Sequence, residues 1–247
     1  MKVDVLFGAG GIVPVEMHGR VVVVIDVLRA STTIAVALAN GARNVVPFEH
    51  ADEAAARAKS FDRSEVLLAG ERRMQPIPGF DLGNSPREFT AQVVEGKSVL
   101  FTTSNGTAAL IATQGAAEVF VGSYVNLSAL LAVLRDPSRA NNNVTIFAAG
   151  NDRRFSLEDA ACAGRFVREL SGGAKLELND GAHATMLLDK RYGQNLQKMF
   201  KEAEHARALV NAGFGEDIAV CAAIDAYPVV PVYADRLITR MGPDLER

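Results

Sequence analysis

Neither sign of charge dominates this chain: 26 Lys and Arg stand against 29 Asp and Glu in 247 residues, a formal net charge of −3. No run of like charges builds the basic stripe that holds a phosphate backbone, which argues against nucleic acid as a partner. Cysteine is scarce. Cys162 and Cys221 are too few for a disulfide framework and lack the clustered spacing of a zinc site, so a reducing compartment suits both. His18, His50, His183 and His205 share no metal-binding spacing. Long apolar runs are also missing. The stretch from Ile218 to Ile224 is among the longest, far short of the roughly 20 residues that cross a bilayer, and no membrane span is expected. Met1 to Phe7 reads as a strand, without the apolar segment and cleavage site of a secretory signal, and the cytoplasm is the expected location.

What is present is a hydrophobic fraction of 49%, enough for a sizeable core in a chain whose length suits one α/β domain or two small ones. A short β-branched run, a polar turn and an Ala-rich helical stretch recur three times. The first unit runs from Val21-Val22-Val23-Val24-Ile25 through Asp26 to Thr33, then a helix from Ile34 to Asn40 closed by Gly41. The second runs from Ser98-Val99-Leu100-Phe101 through Thr102 to Thr107, then a helix from Ala108 to Gln114 closed by Gly115. The third has Val144-Thr145-Ile146-Phe147, a long turn, and a helix from Ser156 to about Leu170 closed by Gly172-Gly173.

The first two units align without gaps from Thr33/Thr107 to Val45/Val119, a weak internal repeat that leaves room for two similar subdomains. Continuous Val/Ile strands predict a mostly parallel sheet with helices on both faces, and ligands of such sheets gather at the carboxyl ends of the strands. Residues 180–225 read as helical, and Tyr227 to Tyr233 as a late, proline-bounded edge strand. The polar stretch 136–143 is the candidate subdomain boundary within one domain spanning 1–247.

The loops carry the chemistry. Asp26 leaves a buried strand, Arg29 follows, and Ser31, Thr32 and Thr33 open a helix. Such an arrangement forms an anion cradle beside a carboxylate, and the plain alternative is Ser31 as an N-cap with Asp26 as a turn residue. Thr102, Thr103, Ser104, Asn105, Gly106 and Thr107 repeat the arrangement without charge and without the lysine of a P-loop. Between them lies an irregular segment, residues 70–86, with Glu71, Asp81 and an Asn84-Ser85-Pro86 turn. Sparse carboxylates from several loops suit Mg²⁺, which takes one or two protein carboxylates, substrate phosphate and water. Ser156 with Asp159 has the form of a helix-start pair, and Cys162 lies one turn beyond Asp159. Glu216 and Asp217 read as first-turn acids, mostly structural.

Taken together, Asp26-Val27-Leu28-Arg29-Ala30-Ser31-Thr32, Gly70-Glu71-Arg72, Gly79-Phe80-Asp81-Leu82-Gly83-Asn84-Ser85-Pro86, Thr103-Ser104-Asn105-Gly106-Thr107 and Phe155-Ser156-Leu157-Glu158-Asp159 resemble the motifs of the 2-phosphosulfolactate phosphatase family. The resemblance implies an α/β fold of its own and a Mg²⁺-dependent phosphatase converting 2-phospho-3-sulfolactate to 3-sulfolactate and phosphate, as in coenzyme M biosynthesis. It places Asp26, Arg29 and Asp81 in catalysis, and Asp26, Glu71, Asp81 and Asp159 at the metal. Ser31, Thr32, Asn84, Ser85, Thr102, Thr103, Asn105, Gly106, Thr107, Ser156 and Cys162 are expected around a small phosphorylated sulfonate or carboxylate.

Asp26 stands open as metal ligand or nucleophile. Two departures from the family wording, Asn151-Asp152-Arg153-Arg154 before Phe155 and Arg73 to Pro76 after Gly70-Glu71-Arg72, bear on substrate choice. A phosphatase of another small ester and a non-catalytic anion-binding protein are the rival readings. A mean hydropathy of +0.10 leaves room for a homodimer face.

Overall fold

Alternate residues of the second strand bury against different helices, and this sets the architecture. The computed structural model describes residues 1–8, 17–139, 142–152, 154–172 and 176–242. In chain order the elements are β1 (Lys2–Phe7), β2 (Val21–Ile25), α1 (Ala30–Ala39), β3 (Asn44–Pro47), α2 (Ala51–Ala58), β4 (Val66–Arg72), β5 (Gln75–Pro76), α3 (Ala91–Val94), β6 (Ser98–Thr102), α4 (Gly106–Ile111) and β7 (Glu118–Gly122). There follow α5 (Leu127–Leu134), β8 (Val144–Ala148), α6 (Leu157–Ser171), β9 (Glu177–Leu178), α7 (Asp180–Tyr192), α8 (Leu196–Glu202), α9 (Glu204–Asn211), α10 (Asp217–Cys221), β10 (Pro231–Ala234) and β11 (Leu237–Arg240). Val21, Val23 and Ile25 pack with Leu130 of α5 and Phe166 of α6, whereas Val22 and Val24 pack with Ile34 of α1 and Leu110 of α4. Period-two alternation between two apolar layers leaves β2 wholly buried, as the continuous valine run predicts.

The strands form one sheet in the order β5-β4-β6-β3-β11-β10-β7-β2-β8-β1-β9. β4, β6 and β3 run parallel, as do β7, β2, β8 and β1, so the expected mostly parallel sheet with helices on both faces is observed. β2 and β3 flank α1, and β6 and β7 flank α4, yet β2 pairs with β7 and β3 with β6. Each repeat unit therefore begins in one half of the sheet and ends in the other, and the halves are interleaved along the chain. Residues 136–143 join α5 to β8 within one half, with Ala140 and Asn141 outside the described residues. Gly173, expected to close α6, and Arg153 in the turn before Phe155 also lie outside them.

One expectation is corrected. The segment holding β10 is not an edge strand: it lies mid-sheet, between β7 and β11. Proline is tolerated there because β10 pairs with β7 only at Val232↔Phe120, leaving few ladder bonds to disrupt. β11, absent from the sequence reading, completes a hairpin through Asp235 and Arg236 at φ 49° and 63°, a left-handed turn formed without glycine. No helix among the described residues is long and apolar enough to cross a membrane.

Candidate active site

α1 begins at Ala30, earlier than the sequence indicates, because Asp26 closes its first turn. Asp26 Oδ1 accepts the N–H of Ala30 at 3.2 Å and its carbonyl accepts that of Ser31 at 2.8 Å. Ser31 Oγ accepts the Asp26 N–H at 2.9 Å, and Thr32 Oγ1 donates to the Val27 carbonyl at 2.9 Å and lies 2.8 Å from Ser123 Oγ. Both hydroxyls are thus engaged within the fold, and neither lines the cavity at the end of β2. The expected hydroxyl cradle is replaced by a carboxylate that serves the helix terminus itself.

That cavity, about 430 Å³, is walled by Asp26, Arg29, Glu71, Arg73, Asn84, Ser104, Asn105, Asp152 and His205, among others. Hydrogen bonds between loops draw the strand ends together. Glu71 Oε1 accepts the Ser104 N–H at 2.7 Å, joining the ends of β4 and β6, and its Oε2 accepts the Met74 N–H at 2.8 Å and the Ser104 hydroxyl at 3.2 Å. Asn105 Oδ1 accepts the Asp152 N–H at 3.1 Å. Asp159 takes the N–H of Val27 on Oδ1 at 2.7 Å and that of Gly150 on Oδ2 at 3.0 Å, tying β2 to β8. At α4, Thr103 and Thr107 cap each other reciprocally at 3.2 Å, and Thr102 Oγ1 accepts Arg72 Nη2 at 2.8 Å. Gly106 is needed for the close approach of the two helix starts: a Cβ there would lie 2.5 Å from Ala30 Cβ and 2.8 Å from Asp26 Oδ2.

Arg29 is buried at the cavity wall. Its Nη1 pairs with Asp217 Oδ2 at 2.6 Å, its Nη2 donates to the Met74 carbonyl at 3.1 Å, and the guanidinium stacks 4.3 Å from the Phe214 ring centroid. Ser85 Oγ donates to the other oxygen of Asp217 at 2.6 Å, so Ser85 supports the arginine rather than facing the cavity. Asn84 faces it, and its Oδ1 is buried without a partner among the described residues.

Several expected residues stand elsewhere. Asp81 pairs with Arg63 and takes the Leu68 N–H at 2.8 Å, so it shapes the 70–86 segment and is absent from the cavity wall. Asp159 has each oxygen on a backbone N–H and is absent from the cavity wall, so it braces the site from behind. Ser156 stands at the start of α6 with its hydroxyl buried, but its side chain does not cap the helix. Cys162 lies in the apolar layer with Val27 and Phe166, and burial pushes its thiol far above the ordinary range. No group of three or more His, Cys, Asp and Glu side chains positioned to hold a metal occurs among the described residues. The expected four-carboxylate set thus reduces to Asp26 and Glu71 at one cavity.

Burial raises the Asp26 carboxyl to about 6, helped by nearby Glu71 and Glu158 and opposed by His205 and the Ala30 N–H. Asp159 is raised well above the carboxylate range, by burial first and then by Glu158 and Asp26. His205 shows opposing causes. Burial lowers it, but the hydrogen bond and charge of Glu158, with Asp26 and Asp159 beyond, outweigh this and raise it above the ordinary histidine value.

The model of the 2-phosphosulpholactate phosphatase family matches residues 12–236, which include every residue of this site. The chain belongs to that family. It is 42% identical over 216 residues to a probable 2-phosphosulfolactate phosphatase of Caldanaerobacter subterraneus subsp. tengcongensis, covering 87% of this chain and 88% of the relative. Proteins with the same description from Symbiobacterium thermophilum (40% over 221 residues, 89% and 94% coverage) and Clostridium beijerinckii (36% over 240 residues, 97% and 99%) match as fully. In this family member the sequence reading missed His205 and underrated Asp217. Asp217 carried a weak signal as a first-turn acid, whereas His205 carried none, because its partner Glu158 is 47 positions away.

Proposed function

We propose that this chain hydrolyses the phosphate ester of 2-phosphosulfolactate, releasing 3-sulfolactate and phosphate, as the cytoplasmic step of coenzyme M biosynthesis. The observation that carries the proposal is the meeting of Asp26, Glu71 and Arg29 at one cavity at the end of β2, inside the region matched by the family model. A small, multiply charged anion fits its size and its polar wall. The wall's charges are not net positive, however: Asp26, Glu71 and Asp152 face Arg29, Arg73 and His205, and Arg29 is already paired with Asp217. Binding a phosphosulfonate therefore calls for added positive charge.

Mg²⁺ fits that need. Asp26 Oδ2 receives no hydrogen bond among the described residues, and only a glycine at position 106 leaves it uncrowded, since a Cβ there would lie 2.8 Å away. Asp26 and Glu71 would hold the ion, the one or two carboxylates that Mg²⁺ takes from protein. Bound there, it would neutralise the non-bridging phosphate oxygens and favour ionised Asp26. Arg29, fixed by Asp217 and Phe214, offers its remaining donors to an anionic group, and the amides of Asn84 and Asn105 orient the substrate. Asp26 serves as a metal-holding carboxylate in this reading. A phosphoenzyme that can be trapped in the wild type and is lost in Asp26→Asn would overturn that role.

Phosphate release from 2-phosphosulfolactate, measured beside phospholactate and p-nitrophenyl phosphate, tests the assignment. A clear preference for the sulfonate is expected. Equal turnover of all three would make it a broader phosphatase, and release from none would make the site a binding site only.

A further inference from the structure

The cavity wall contains one histidine, and a buried carboxylate stands behind it. His205 projects from α9, and its Nδ1 lies 3.2 Å from Oε1 of Glu158 on α6. Glu158 is 1% exposed and its Oε2 has no partner among the described residues, so the histidine is the only side chain among them that meets this buried carboxyl group. With Nδ1 turned to the carboxylate, Nε2 is the nitrogen left for a ligand in the cavity, and no partner for it exists among the described residues. A carboxylate behind one ring nitrogen fixes ring orientation and tautomer and favours the protonated ring.

We propose that His205 is the general acid that protonates the leaving ester oxygen, and that Glu158 is its positioning residue. The inference rests on the phosphatase reading above. A secondary alkoxide is a poor leaving group, so its departure needs a proton in a way that loss of an acidic phenol does not. In the step proposed, the ester P–O bond breaks with its electron pair on the ester oxygen, which takes the proton from Nε2. Water adds to phosphorus through its oxygen, giving dihydrogen phosphate. That product returns one proton to the neutral imidazole and leaves as monohydrogen phosphate, so the ring ends the cycle protonated.

The test compares wild type, His205→Gln and Glu158→Gln on 2-phosphosulfolactate and on p-nitrophenyl phosphate. His205→Gln is expected to lower kcat for the alkyl ester by about 10²–10⁴-fold and for the aryl ester by less than about tenfold, with Glu158→Gln showing the same pattern more weakly. An equal fall on both substrates would overturn the assignment. Activity against phosphosulfolactate as a function of pH supplies a second readout, needed if the aryl ester is not turned over or Glu158→Gln fails to fold. The charged groups acting most strongly on His205 are Glu158 and Asp159 from α6 and Asp26 after β2, and Arg29, Glu71, Arg73 and Asp152 share its cavity wall. The wild type should lose kcat on the alkaline side as the ring deprotonates, and His205→Gln should lack that limb. A limb that persists in the variant would refute the role. A wild type that releases phosphate from neither ester would remove the hydrolase reading itself, and this assignment with it.

Discussion

Asp26 combines burial with a carboxyl raised to about 6, against an ordinary value of 3.8. Because the folded-state value is the higher one, the folded chain favours the protonated carboxyl. The stability this contributes is complete below pH 3.8 and is lost as pH rises through about 6, for a total of about 3 kcal/mol. In EDTA, urea unfolding should therefore find Asp26→Asn and wild type similar near pH 4, and the variant more stable by about 3 kcal/mol above pH 7. A difference that does not change with pH would contradict the burial cause. Asp217 makes the opposite case. Its replacement by Ala leaves Arg29 buried and unpaired, at a cost of about 3–5 kcal/mol measured by the same unfolding. The sequence showed Asp26 and Arg29 as candidates because they follow a buried strand. It showed Asp217 only as a first-turn acid and not as the partner of Arg29, from which it lies 188 residues away and which it meets only once α10 docks.

Between elements, the decisive contact is that of the α1 and α4 starts. Gly106→Ala places a methyl group against Ala30 and Asp26, and repacking at such a contact costs about 1–3 kcal/mol. Since the displaced group is Asp26, activity should fall further than stability accounts for, which is read from kcat/KM at a temperature well below the melting point of the variant. Normal kcat/KM would mean that the approach of α1 and α4 does not position the site. The positions of both helices were legible from polar turns following short apolar strands. Their starts were not, because Asp26 and Thr103 accept the first-turn N–H groups from outside the run that reads as helix. The loop hydroxyls were misread for the same reason: sequence shows that a threonine is present, not whether its hydroxyl is already bonded to the backbone. Asp81 likewise carried the wording of a site residue, and Arg63, 18 positions earlier, takes it.

For the molecule as a whole, parallel strands and their helical cover were readable from continuous Val/Ile runs, whereas the order of the sheet was not. The two repeat units exchange strands, and the β10–β11 hairpin bridges them through single-residue pairings at Val232↔Phe120 and Ile238↔Val45. A proline-flanked segment pairs so sparingly that nothing local distinguishes it from an edge. Ile238 is fully buried at that bridge. Ile238→Ala should cost about 2–5 kcal/mol by removing core volume where the halves meet. Because the strands are interleaved, scanning calorimetry should still show one transition, and two resolved transitions would mean that the halves fold independently.

The most direct measurement is phosphate release from 2-phosphosulfolactate by wild type, Asp26→Asn and Glu71→Gln, each with Mg²⁺ and with EDTA. Release by the wild type that requires Mg²⁺ and falls by about 10²-fold or more in both variants is expected from charge stabilisation at the end of β2. Release that survives EDTA, or that both variants retain, would contradict it.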